Sequence, residues 1–143
     1  MPGVEIVWKE GMRFEGTPDS GHVIVMDAGR EQNGNDVGAR PMELLLIGLG
    51  GCTGMDVVSI LRKMRKNIVS FKLIVRAERS SEHPKVYTKI GLEYRIEGDM
   101  EDGDVKRAIE LSQDKFCSAS AMLGKSAEIT YTFKLLKTVG KRP

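Results

Sequence analysis

A chain of 143 residues, 41 % hydrophobic and 29 % charged, is enough for one packed core and is ordinary for a soluble globular protein. Its 22 basic and 20 acidic residues leave a net charge of +2, too weak a field for a nucleic-acid binder. The opening Met-Pro-Gly-Val-Glu-Ile lacks the basic and apolar regions of a secretion signal, which points to the cytoplasm. In that reducing compartment two cysteines are free, metal-binding or redox-active thiols rather than a structural staple.

Val4 to Lys9 and Met12 to Glu15 are predicted as short strands. The turn chemistry of Thr17-Pro18-Asp19-Ser20-Gly21 then leads to a third strand, His22 to Met26, and an N-terminal antiparallel meander results. Asp27 to Ala39 contains Gly29, Asn33-Gly34-Asn35-Asp36 and Gly38, which predicts a mobile loop leading into the next element.

From Pro41 to about Asn67 the sequence predicts one helix of roughly 26 residues, about 39 Å long at 1.5 Å per residue. Pro41 suits the first helical position and Glu43 the positive first turn, while Arg62, Lys63, Arg65 and Lys66 suit the negative last turn. Met42, Leu44 to Ile47, Leu49, Met55, Val57, Val58, Ile60, Leu61 and Met64 leave it no polar face, so it must be buried all round. Gly48, Gly50, Gly51 and Gly54 each cost roughly 1 kcal/mol of helix propensity, and close backbone approach is the expected compensation. Glu43 and Asp56 bracket only 12 uncharged residues, short of the about 20 that a membrane span needs.

Beyond the helix, Val69, Phe71, Leu73, Val75 and Ala77 alternate against Ser70, Lys72, Arg76 and Glu78. A turn at 80 to 84 returns the chain through Val86, Thr88, Ile90, Leu92, Tyr94 and Ile96, completing a long hairpin. Capping residues in 99 to 104 start a helix with Val105, Ala108, Ile109, Ser112 and Phe116 on one stripe. Cys117 to Gly124 reads as a short helical turn whose amide dipoles would favour a thiolate at Cys117. Ala127, Ile129, Tyr131, Phe133 and Leu135 alternate as a last strand, and the basic tail Lys137 to Pro143 is expected to fray.

These elements add up to a single α+β domain over residues 1–143: a two-layer antiparallel sheet with a long central helix. A sheet covers one side of that helix only. Its other apolar side predicts an intertwined, obligate homodimer.

Pro41-Met42-Glu43-Leu44-Leu45-Leu46 leading to Gly50-Gly51-Cys52, with Phe116-Cys117-Ser118-Ala119-Ser120 beyond it, resembles the OsmC/Ohr family over nearly the whole chain, and most closely its OsmC-like branch with Gly-Gly-Cys-Thr on the helix. The resemblance implies thiol-dependent reduction of hydroperoxides by a homodimer, in defence against oxidative stress. Cys52 would be the peroxidatic cysteine, and Cys117, 65 residues on, the resolving one. No cofactor is implied, only an external dithiol reductant. The family places an arginine from the N-terminal region at the thiolate: Arg13 matches it, and Arg40 is the local alternative. Its partner acid would be Glu43, one place later than in Ohr-type chains, a rotation of about 100°. Ser118 stands where many relatives have proline.

Read without the resemblance, Cys52 is a small buried hydrophobe. The chain would then be a non-enzymatic homodimer that binds a small apolar ligand or partner. His22, His83 and the two cysteines lack zinc-ligand spacing, and no metal site is predicted from them. Met42, Met55, Met64 and Met122 are expected to fill the core.

Overall fold

The computed structural model describes residues 1–138. It forms two compact units, Met1–Leu46 and Ile47–Pro143. The expected fraying of the tail falls mostly outside the described residues; Lys137 itself ends a strand, and its ammonium meets Glu101 at 2.7 Å.

In the first unit β1 (Val4–Glu10), β2 (Arg13–Pro18) and β3 (Ile24–Met26) make the expected antiparallel meander. Gly11, at φ +53°, closes the first hairpin, and its carbonyl accepts from Trp8 Nε1 at 2.8 Å. The segment from Asp27 to Ala39 is not the open loop expected of its glycines. It winds around the Asp27 carboxylate, which accepts from the amides of Ala28, Asn35 and Val37 at 2.7 to 3.2 Å. Burial opposes that carboxylate's charge, but the three amides and Arg40 outweigh it and hold its pKa below the usual carboxylate range.

Helix α1 spans Pro41–Lys63, four residues short of the expected end. It stops because Arg65 turns left-handed at φ +61° and the Lys66 amide reaches back to the Leu61 carbonyl at 2.9 Å. Only one stripe, Leu49, Thr53, Val57 and Leu61, is buried. Ile47 is 62 % and Met55 77 % exposed, so within one chain the all-round burial expected of this helix does not occur. Met122 is exposed as well, so neither Met55 nor Met122 fills the core. Among the described residues α1 is the one helix long and apolar enough to cross a membrane by length and composition.

The second sheet has the order β4 (Asn67–Arg79), β5 (Tyr87–Asp99), β6 (Glu128–Lys137). β4 and β5 pair antiparallel as expected, but β6 runs parallel to β5. The cause is the connection. A helical crossover of α2 (Asp102–Leu111), a π-turn (Ser112–Phe116) and α3 (Ser118–Leu123) carries the chain back to the start of the sheet, as parallel pairing requires. Ile90, Leu92, Tyr94 and Ile96 of the middle strand are buried as their alternation predicts. Val69 is not, because a bulge between Ile68 and Ser70 flips the register at the strand's start.

Candidate functional site

The site is built where the π-turn after α2 meets the middle of α1. α2 begins with a reciprocal cap, Glu101 and Asp104 each accepting the other's amide, and it buries Val105, Ala108 and Ile109 as expected, with Ser112 of the π-turn continuing the stripe. Phe116 does not join that stripe and is 50 % exposed. The Cys117 amide bonds to the Ser112 carbonyl at 2.7 Å, five residues back, and this wide turn adds one residue to the period. The inward position therefore passes from Phe116 to Cys117, which is 3 % exposed.

Cys117 caps α3, its sulfur accepting the Ser120 amide at 3.4 Å. Even so, burial is the largest influence on this thiol and pushes its pKa above the ordinary value, reversing the expectation from the helix start. The Ser120 hydroxyl and amide favour the thiolate, and the neighbouring Cys52 disfavours it. Ser120 Oγ is itself buried and meets no hydrogen-bond partner at good geometry.

The two sulfurs come together as the two-cysteine scheme requires. Cys52 Sγ, Cys117 Sγ and a carboxylate oxygen of Asp56 all lie within 4.8 Å of one another. Asp56 follows Cys52 by four residues on the same helix face, a spacing readable in the sequence once Cys52 is placed on a helix. Sequence reasoning treated Asp56 only as an interrupting charge.

Behind the thiols runs a buried hydroxyl chain that the sequence did not announce. Ser112 Oγ donates to Asp56 Oδ2 at 2.9 Å, so its lone pairs must accept from Thr53 Oγ1, 2.7 Å away. Thr53, its proton committed, accepts from Tyr94 Oη at 2.7 Å and from Gln113 Nε2 at 3.1 Å. Every proton in the relay points towards the Asp56 carboxylate. Tyr94, between the edges of Phe71 and Tyr131 and deprived of solvent, has its phenol pKa pushed up to about 12.

The other expected site residues belong to the N-terminal unit. Arg13 lies in β2 and pairs with Glu10 and Glu15, its Nε buried without a partner. Arg40 binds Asp36 at 2.7 Å and the Gly38 carbonyl at 3.1 Å, and Asp36 is the main reason its pKa is raised. Glu43 accepts the Arg40 amide at 2.8 Å and so caps the start of α1. His22 and His83 are exposed.

The OsmC-like protein family profile matches residues 33–132, a stretch containing both cysteines, Asp56 and the relay between them. The chain belongs to the OsmC-like family. It is 39 % identical over 132 residues to protein YhfA of Escherichia coli K12, covering 92 % of this chain and 96 % of that relative. Among solved structures, a hypothetical protein from Aquifex aeolicus VF5 superposes with a TM-score of 0.80 at 31 % identity, over 94 % of this chain and 97 % of its own. The organic hydroperoxide resistance protein OhrB of Bacillus subtilis shares the fold, with a TM-score of 0.63 at 13 % identity over 92 % and 98 % of the two chains. The OsmC/Ohr resemblance read from the sequence is thus the right family, and the α+β architecture is the family's own.

Proposed function

We propose that this OsmC-like chain is a cysteine-based hydroperoxide reductase of the cytoplasm, acting as a homodimer in oxidative-stress defence. The observation that carries the reading is the approach of two free thiols, 65 residues apart in sequence, to within 4.8 Å. As thiolate, Cys52 attacks one oxygen of the O–O bond and becomes a sulfenic acid, while the alkoxide leaves and is protonated. Cys117 then attacks the Cys52 sulfur. A disulfide forms, and the hydroxyl of the sulfenic acid leaves as water with the Cys117 proton. A dithiol reductant restores both thiols by exchange, and no cofactor takes part.

The mechanism asks for a cation at Cys52, and the family resemblance offers Arg13, with Arg40 as the alternative. Glu43, which accepts the Arg40 backbone amide, is the acid the resemblance offers to orient that arginine. Dimerisation itself is supported by the uncovered side of α1 and by an apolar groove of about 590 Å³ lined by Gly50, Gly51, Met55, Val58, Phe71 and Leu73.

The test is stoichiometric. Reduced protein titrated with cumene or tert-butyl hydroperoxide should lose two thiols per chain for one peroxide consumed and gain one intramolecular disulfide. Thiols that survive a small excess of peroxide would end the enzyme reading and leave a non-enzymatic dimer that binds an apolar ligand.

A further inference from the structure

We propose that the reduced protein binds one soft divalent cation of the zinc class through Cys52 Sγ, Cys117 Sγ and the Asp56 carboxylate, with water as the fourth ligand. Expectation from the sequence ran against a metal because no two cysteines or histidines stand at short spacing. The fold supplies the spacing in another way. Cys52 and Asp56 stand one helical turn apart on α1, and the π-turn brings Cys117 to them from a remote segment.

The donor set is of the right size and kind. Four-coordinate zinc, at about 2.3 Å from sulfur and about 2.0 Å from oxygen, places its ligand atoms roughly 3.5 to 3.8 Å apart. These three already lie within 4.8 Å of one another, so closing on a cation asks for shifts of only about 1 Å. Two sulfurs and one oxygen suit zinc over magnesium or calcium, which take oxygen alone. Three protein ligands with one open position is a known zinc arrangement.

Two further observations point to an occupant. Ser112 grips Asp56 Oδ2 at 2.9 Å and is itself held by Thr53, which fixes the carboxylate as outer hydrogen bonds fix metal ligands. Ser120 is 6 % exposed, and its Oγ is buried beside the Cys117 sulfur with no other hydrogen-bond partner. A metal-bound thiolate is a stronger acceptor for that hydroxyl than the neutral thiol. Binding displaces one proton from each thiol, and it excludes the disulfide, because both sulfurs are then held by the metal. Oxidation of the pair would release the ion.

The probe is Co²⁺, added to the full-length, metal-free protein after reduction with a phosphine. One Co²⁺ per chain should bind, with a thiolate-to-cobalt charge-transfer band and the intense visible bands of four-coordinate cobalt, and Zn²⁺ should displace it. Affinity should fall as the pH is lowered, with two protons released per ion. Cys52→Ser and Cys117→Ser should lose the charge-transfer band, and Asp56→Asn should weaken binding at least tenfold. The disulfide form of the wild-type protein should bind no cobalt, and Zn²⁺ should slow alkylation of both wild-type thiols; these two measurements decide the matter if a variant misfolds. Spectra of six-coordinate cobalt without thiolate bands, undiminished affinity in folded Asp56→Asn, or equal binding by the disulfide form would overturn the proposal. Peroxide plays no part in the assay, so a protein that binds cobalt but is inert to hydroperoxide keeps this site and loses the reductase reading, and the reverse result does the opposite.

Discussion

The hydroxyl of Thr53, the residue after Cys52, lies 2.7 Å from the phenol oxygen of Tyr94 in the middle strand of the second sheet. The bond ties the cysteine's turn of α1 to the centre of the sheet, and both side chains are fully buried. Thr53→Val keeps the shape but strips Ser112 of its donor and Tyr94 and Gln113 of their acceptor. The loss should be about 1 to 3 kcal/mol of unfolding free energy, the cost of leaving buried polar groups unsatisfied. Denaturant titration measures it. The double variant with Tyr94→Phe should cost less than the two single changes added together, because both act on one network.

Tyr94 carries its own pH signature. Burial raises its pKa to about 12 in the folded chain, against about 10 unfolded. Between those values the unfolded state binds fewer protons than the native one, so stability must fall as the pH rises from about 10 to about 12, and be fully present below. Spectrophotometric titration should show one tyrosine ionising about two units late, and Tyr94→Phe should remove that step. A wild-type titration with all three tyrosines ionising near pH 10 would contradict the buried relay.

Cys117 gives a prediction that separates the two thiols. Cys117→Ser should leave the peroxide reaction stalled at a Cys52 sulfenic acid, trappable with a dione reagent and absent from the wild type. Because burial raises the Cys117 pKa, this thiol is protonated at neutral pH, and disulfide closure should quicken as the pH rises through and beyond the ordinary thiol value of about 8.5. The same shift contributes stability that is present below about pH 8.5 and drains away above it, a slope that Cys117→Ala should flatten. Stopped-flow disulfide formation and denaturant midpoints across that range check both signs.

Periodicity carried most of the fold. Ile90, Leu92, Tyr94 and Ile96 are buried where a period of two puts them, and Val105, Ala108, Ile109 and Ser112 where a period near 3.6 puts them. It failed where the backbone leaves the regular period. The bulge at Ile68 to Ser70 expelled Val69, and the π-turn exchanged Phe116 for Cys117. Neither irregularity has a local sequence mark such as glycine or proline. The parallel pairing of β6 was hidden for a different reason, since strand direction depends on the whole crossover and not on the strand's own residues. The thiol pair was legible through motif resemblance, and Asp56 was legible through its spacing of four from Cys52. The hydroxyl relay joins residues up to 59 apart, and no local pattern encodes such a contact.

The glycines of α1 now separate into two kinds, and this sharpens the test of the dimer. A side chain at Gly50 would meet Val75 Cγ2 at 3.3 Å and Leu73 Cδ2 at 3.6 Å within its own chain, whereas at Gly48 and Gly51 nothing lies within 4 Å. Close approach therefore accounts for Gly50 inside the protomer, a side chain at Gly54 would make ordinary contact with Phe71 Cε1 at 3.8 Å, and neither holds for Gly48 and Gly51. Gly50→Leu should overfill the contact with β4 and cost about 1 to 3 kcal/mol whatever the assembly. Gly51→Leu should leave the protomer's own packing intact and act only where a second copy covers the open side of α1. Sedimentation should then give a dimer for the wild type and a smaller species, or a far weaker dimer, for Gly51→Leu with native circular dichroism. A wild-type monomer at micromolar concentration, or a Gly51→Leu dimer as tight as wild type, would remove this face of the helix from the interface.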